Sequence, residues 1–359
     1  MAYVGQNAYV FSGSVGDNLF YGLKHRQVGE GENGGGGSEK RRTFVAEAKA
    51  SGNTASDIDA EWIDYQALGI GGPGELTGRA FAVLETVSLL DDVYEMGLQG
   101  TIDPEQSPQL AAKVFEARGA LRERLGDSAL AKVVEPFDRG RYNDNMSVAE
   151  NLLFGTLTGS ELDIERLGEN PYVLAVLDKV NLSEDFLEMG LKVASIMTEM
   201  FQDLAPDHEF FARYSFIAAD ELPDLQQIIR RAGSAGPGQL EQADRDKLMS
   251  LPFKMIPASH RLGVIDEAMQ QRLLEARRVF AADLPSPLRG SVAFFDEEKY
   301  NPAASIQDNI LFGKLVFGRH QSWRQVSELI GEVVEQLELR QAVLEVGLDT
   351  QVGIAGGRL

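Results

Sequence analysis

Three stretches of this 359-residue chain align without gaps, and that repetition limits its fold more than any other feature. They are Tyr9-Val-Phe-Ser-Gly-Ser14-Val-Gly-Asp-Asn18-Leu-Phe-Tyr-Gly22, Tyr142-Asn-Asp-Asn-Met-Ser147-Val-Ala-Glu-Asn151-Leu-Leu-Phe-Gly155 and Tyr300-Asn-Pro-Ala-Ala-Ser305-Ile-Gln-Asp-Asn309-Ile-Leu-Phe-Gly313. A second common block follows each one: Val93-Tyr-Glu-Met-Gly97-Leu98, Phe186-Leu-Glu-Met-Gly190-Leu191 and Val343-Leu-Glu-Val-Gly347-Leu348. Gly155 to Gly190 is 35 residues and Gly313 to Gly347 is 34, whereas Gly22 to Gly97 is 75. The excess of about forty in the first copy matches a glycine-rich insertion near residues 29–60. Two blocks in fixed order at near-equal spacing mark one supersecondary unit used three times.

In each copy the serine is placed to cap a short helix whose second turn carries the acid and the asparagine. The apolar pair and the aromatic residue then face a core, and the glycine ends the turn. Eight residues before the serine the copies differ, with Gln6, Arg139 and Glu297.

Between the copies the pattern is helical. Ser107-Pro108 and Asn170-Pro171 each offer a cap followed by proline at the first helical position, and the helix after Pro108 is predicted to run to about Leu125. Asp266 to about Leu284 reads as another long helix, with Met269, Leu273, Ala276 and Phe280 on one side and prolines at 285 and 287 to end it. Ser322-Trp-Arg-Gln325 has capping-box spacing. Val326, Leu329, Ile330, Val333, Val334 and Leu337 after it form one apolar stripe. Gly71-Gly-Pro-Gly74 reads as a turn and Gly29 to Gly37 as a flexible loop. Strand-like runs are few: Ala2–Val4, Phe216–Ala219 and Val292–Phe295. The expected fold is mainly α, multi-helical, with a short N-terminal strand remnant and three related helical repeat units. The segments are 1–103 (with 29–60 a flexible insertion), 104–290 with inserted helices, and 291–359.

Charge and composition close off several functions. A net charge of −21 argues against a nucleic-acid partner. The absence of cysteine removes disulfide scaffolds, thiolate metal sites and cysteine nucleophiles. No apolar run reaches the roughly 20 residues a bilayer span needs. The four histidines are scattered, and Asp207-His-Glu209 has no partner cluster at ligand spacing, so no metal site is expected. Asp138-Arg-Gly-Arg-Tyr-Asn-Asp144 lacks the order of a calcium loop. There is no Gly-x-Ser-x-Gly. No phosphate-binding G-x-x-x-x-G-K-[ST] occurs either: Gly313-Lys314 runs into Leu315, and the glycines at 34–37 lead into Ser-Glu-Lys40. Two apolar runs end in Asp-Glu, at Asp220-Glu221 and Asp296-Glu297. The first opens a helix and the second belongs to the repeat.

Tyr3-Val-Gly-Gln6 followed by Phe11-Ser-Gly-Ser14 and Asp17-Asn-Leu-Phe-Tyr-Gly22 resembles the glutamine loop of the ATP-binding-cassette (ABC) transporter ATPases. Val352-Gly-Ile-Ala-Gly-Gly-Arg-Leu359 resembles the run-up to that family's signature motif. The resemblance covers roughly the first 25 and last 70 residues, and the middle only through the repeats. Gly5, where the family commonly has proline, and Gly356-Gly-Arg358 depart from the pattern. The resemblance implies an interior piece of such an ATPase, which uses the front of copy one and the back of copy three. It implies that Gln6 serves catalysis and the bound nucleotide. Phe11, Ser12, Gly13, Ser14, Asp17 and Asn18 would form the coupling interface, and Gly353, Gly356 and Leu359 the approach to the signature. It further implies ATP and Mg2+ in the intact protein but none in this chain. Its partners would be a transmembrane domain and a second ATP-binding domain, its place the cytoplasmic side of a membrane, with this piece soluble. The alternative from the residues themselves is a helical docking module that needs no nucleotide.

Overall fold

The structure, a computed structural model, describes residues 10–24, 28, 39–56, 60–126, 128, 130–205, 208–233, 236–319 and 322–353. The expected strand at Ala2–Val4 and the loop at Gly29–Gly37 lie outside them. The described chain is mainly helical. Copy one supplies α1 (Val15–Tyr21), α3 (Pro73–Thr86) and α4 (Leu90–Gln99), with α2 (Glu39–Ser51) inside the insertion. Copy two runs α5 (Pro108–Gly126), β1 (Val134–Pro136), α6 (Val148–Leu153), β2 (Gly155–Leu157), α7 (Pro171–Lys179) and α8 (Ser183–Phe201). Added helices follow: α9 (Glu209–Tyr214), α10 (Leu222–Ala232), α11 (Gln242–Lys254) and α12 (Pro257–His260). Copy three repeats the order with α13 (Glu267–Ala282), β3 (Val292–Phe294), α14 (Ile306–Leu311), β4 (Gly313–Leu315), α15 (Trp323–Gln336) and α16 (Arg340–Leu348).

In space the chain forms two compact units, one of residues 1–100 with 338–359, the other of residues 101–337. The front of copy one and the back of copy three therefore belong to one unit.

In the larger unit, copies two and three exchange strands. β1, ahead of copy two, pairs antiparallel with β4, behind copy three, and β2 pairs likewise with β3. Each long helix preceding a copy packs against the short helix of the other: α5 on α14 and α13 on α6. At the centre of this exchange Phe137 and Phe295 stack 4.2 Å apart, with Phe154 and Phe312 edge-on to Phe137. A larger core joins α6, α7, α8, α10, α11 and α13 around Phe186, Phe253 and Phe280, all fully buried. In the smaller unit α4 lies across α16, and Val93, Leu84, Leu344 and Leu348 form the core with Val15 and Leu19 of α1 packed onto it.

The second repeated block is a helix crossing. A Cβ at Gly97 would lie 1.9 Å from Val343 O, and one at Gly347 would lie 2.0 Å from Val93 O, so the two helices touch through reciprocal glycines. Gly190 does the same in copy two, 2.1 Å from Leu248 O of α11. Glycine in a helix interior costs about 1 kcal/mol in propensity. Here its bare Cα lets backbones meet. Ahead of each crossing helix the chain turns through a left-handed residue, at Ser88 (φ 60°), Asn181 (φ 54°) and Glu338 (φ 55°).

Several local expectations need correction. The glycine of the first block does not end the turn in copies two and three. Phe154 (φ 45°) and Phe312 (φ 40°) take the left-handed position. Gly155 and Gly313 open the next strand, where a Cβ would sit 2.6 Å from a carbonyl of the paired strand. The acid is the third helical residue, one turn earlier than expected, and closes the capping box at Asp17 and Glu150. Ser322 makes no cap hydrogen bond, because its own backbone is already helical. Gly71–Gly74 is not a free turn, since Pro73 starts α3. Phe216–Ala219 forms no strand, and Ala219–Glu221 is a 3-10 turn into α10. Conversely, the helix expected from Asp266 is capped by that residue's side chain on Met269 N, and Asn170 caps α7 through Tyr172 N and Val173 N.

Candidate functional site: the asparagine-braced loop

In all three copies the asparagine one residue after the acid ties down the loop entering its helix. Asn151 Oδ1 accepts from Asn143 N at 3.0 Å, and its Nδ2 donates to Asn143 O, Met146 O and Ser147 O. Asn309 repeats this with Asn301 N and O, Ala304 O and Ser305 O. Asn18 accepts from Phe11 N and donates to Phe11 O and Ser14 O, all within 3.0 Å. An amide side chain is the one group that offers an acceptor and two donors at this reach, so the residue type follows from the loop it must close.

Copies two and three carry a further element. Arg277 of α13 is 3% exposed and lies in the bend of copy two. Its Nε donates to Asn151 O, its Nη2 to Asn151 Oδ1, and its Nη1 to the carbonyls of Asp138, Arg139 and Arg141. The guanidinium carbon sits 4.2 Å above the Phe154 ring. Arg118 of α5, 5% exposed, repeats the set in copy three: Nε to Asn309 O, Nη2 to Asn309 Oδ1, and Nη1 to the carbonyls of Asp296, Glu297 and Lys299, 4.0 Å from Phe312. Burial pushes both guanidinium pKa values down to about 10, which leaves them charged at neutral pH. A guanidinium spreads five N–H groups in a plane, and here that fan meets converging carbonyls and no carboxylate.

Copy one has the same asparagine and an aromatic residue, Tyr21, at the position of Phe154 and Phe312. Among the described residues no arginine reaches Asn18. Tyr21 is 64% exposed, whereas Phe154 and Phe312 are 4% and 3% exposed. Tyr21 packs edge-on with Phe11 at 4.8 Å. Ser14 accepts from Asp17 N, and the Asp17 carboxylate accepts from Ser14 N and Oγ. Those bonds, the backbone one first, hold the Asp17 pKa below the ordinary carboxylate value.

Phe11, Ser12, Gly13, Ser14, Asp17 and Asn18 therefore stand together as one loop and helix start. The chain beyond α16 runs against it: Val15 N donates to Thr350 O, Val352 N donates to Gly13 O, and Ser14 bridges antiparallel to Gln351. Gly353, in the left-handed region at φ 71°, follows immediately. Gln6, Gly356 and Leu359 lie outside the described residues. Arg139 and Glu297, which stand where copy one has Gln6, contribute their carbonyls to the arginine sites. Asp296-Glu297 is thus part of a loop, and Asp220-Glu221 part of a helix start. Among the described residues no group of acids and histidines is placed to hold a metal ion, and no helix is long and apolar enough to cross a membrane.

The arginines escaped the sequence reading although a signal existed. Glu116-Ala-Arg118 and Glu275-Ala-Arg277 stand 29 and 28 residues ahead of Ser147 and Ser305, which extends the repeat upstream into the long helices.

Compared with protein-family models, curated proteins and solved structures, the chain matches none.

Proposed function

We propose that this chain is the helical coupling part of an ABC-type transporter ATPase. In this reading Gln6 and the loop from Phe11 to Asn18 stand at the nucleotide end, and Gly353 to Leu359 lead towards the signature motif. The face around Phe11, Ser12 and Asn18 receives a helix of the membrane domain. ATP and Mg2+ belong to the intact protein, and so does a second ATP-binding domain. The supporting observation is the bridge from Ser14 to Gln351. The two stretches that carry the resemblance are more than 300 residues apart in sequence, yet they share one compact unit and pair backbone to backbone.

Reading the residues encoded on either side of the chain tests this. A phosphate loop upstream, with serine and then an apolar strand ending in Asp-Glu downstream, is the expected result. Unrelated flanks would overturn it and leave the second reading, a nucleotide-independent docking module. That second reading draws on the threefold use of one loop architecture, two copies of which already bind helices of the chain itself. On either reading the purified chain hydrolyses no ATP, because it lacks the lysine and glycines that cradle the phosphates.

A further inference from the structure

We infer that the loop and helix of copy one are a receptor for an arginine-bearing helix of a partner protein. The observation is an internal comparison. Each of the other two copies binds one long helix through one buried arginine, and each does so with the same two side chains, an asparagine and an aromatic residue three positions later. The asparagine supplies Oδ1 and its backbone carbonyl to Nη2 and Nε, and the aromatic ring lies under the guanidinium. Occupied, these residues are almost entirely covered: Asn151 and Asn309 are each 1% exposed. In copy one Asn18 is half-buried and Tyr21 is open. Asn18 is nevertheless braced to its loop, one residue later than in the other copies, accepting through Oδ1 from Phe11 N and donating through Nδ2 to Phe11 O and Ser14 O. An asparagine whose amide is already oriented loses little order on binding.

The occupant is specified by what fills the other two sites. Both are α-helices in which the arginine follows Glu-Ala, the alanine fully buried at 0% exposure (Ala117 and Ala276) so that the helix can approach closely. Lysine does not substitute, because a single ammonium cannot span the asparagine carbonyl and its side-chain oxygen with the planar fork that a guanidinium offers. The chain's net charge of −21 also favours a cationic partner segment. The partner class is therefore a helix with an arginine behind a small residue. This names the chemistry of the docking face proposed above and holds whether or not the intact protein binds nucleotide.

The test uses the full chain and a fluorescein-labelled peptide of residues 108–126, the helix that fills copy three. Fluorescence anisotropy should show saturable binding. Asn18→Ala should weaken it at least tenfold and Tyr21→Ala several-fold. The same peptide with Arg118→Lys should lose at least tenfold. Tyr21 is exposed, so its variant keeps the fold, and an unchanged thermal midpoint confirms that. Hydrogen exchange on the complex should protect residues 15–22. Absence of saturation up to about 1 mM peptide, an affinity worth only about 4 kcal/mol, overturns the inference. So does binding that ignores both Asn18→Ala and Tyr21→Ala, which would place the peptide elsewhere. The peptide result is independent of the flanking sequence, so this inference and the ATPase reading can fail separately.

Discussion

Arg277 and Arg118 are the two buried cations that tie the repeated loops of the larger unit to its long helices. Each is a buried cation whose hydrogen bonds all go to carbonyls and an amide oxygen, so removing the guanidinium strands several buried acceptors at once. Arg277→Met should cost about 3–5 kcal/mol, the range for breaking a buried charged network, read from the urea midpoint of the full chain. Asn151→Ala should cost nearly as much. The double variant should fall well short of the sum of the two, since both remove one network. Additive losses would show that the two side chains act separately. His260 offers a second residue-scale test. Its Nδ1 accepts from Ile256 N at 2.9 Å, its ring packs on Phe216, and burial pushes its pKa down to about 4 from 6.5. Between those values the unfolded chain binds the proton and the folded chain does not, so stability should fall as pH drops from 6.5 towards 4. His260→Asn, which keeps an acceptor but cannot titrate, should flatten that part of the pH profile. An unchanged slope would assign the loss to the carboxylates.

Among elements, the glycine crossings set a sharp contrast between positions of identical residue type. Gly97→Ala and Gly347→Ala each place a methyl about 2 Å from a backbone carbonyl of the facing helix. Neither neighbour is a side chain that could swing away. Each should destabilise the smaller unit by about 2–4 kcal/mol, as overpacking against backbone does. Gly119→Ala, on the exposed face of α5 with nothing within 4 Å, should instead stabilise by about 0.5–1 kcal/mol. Thermal unfolding of the three variants checks the order. The same elements show what could be read in the chain beforehand. α5, α7 and α13 were legible because caps, prolines and apolar spacing agreed. Of the strands only β3 was visible, as the apolar run Val292–Phe295; β1, β2 and β4 were not, since three residues carry no periodicity and each strand exists only through a partner some 140–180 residues away. The left-handed corners at Ser88, Asn181 and Glu338 escaped because three different residues fill one backbone position. The left-handed phenylalanines escaped because glycine, next in line, was the expected occupant. At the site, the loop around Ser14 and Asn18 was visible through repetition. The arginines of copies two and three were hidden because each sits on a long helix outside the loop it fills.

On the scale of the whole molecule, repetition in sequence and compactness in space follow different boundaries. Copies two and three complete each other, whereas copy one shares its core with the last helix of copy three. Residues 101–337 hold their own strand pairs, both arginine sites and the larger core. Expressed alone, this segment should unfold in one cooperative step with near-native near-ultraviolet circular dichroism, and a broad, featureless transition would contradict its autonomy. The claim that organises the molecule is that one short-helix receptor is built three times, filled twice and, among the described residues, left open once. Native-state amide hydrogen exchange on the full chain tests it most directly. The amides of α6 and α14 should exchange only with α13 and α5, through opening of the whole larger unit. Those of α1 should exchange at least a hundredfold faster than those of α4 and α16, its own core helices. Protection of α1 equal to that of α4 and α16 would mean that its face is already covered, and would contradict the claim.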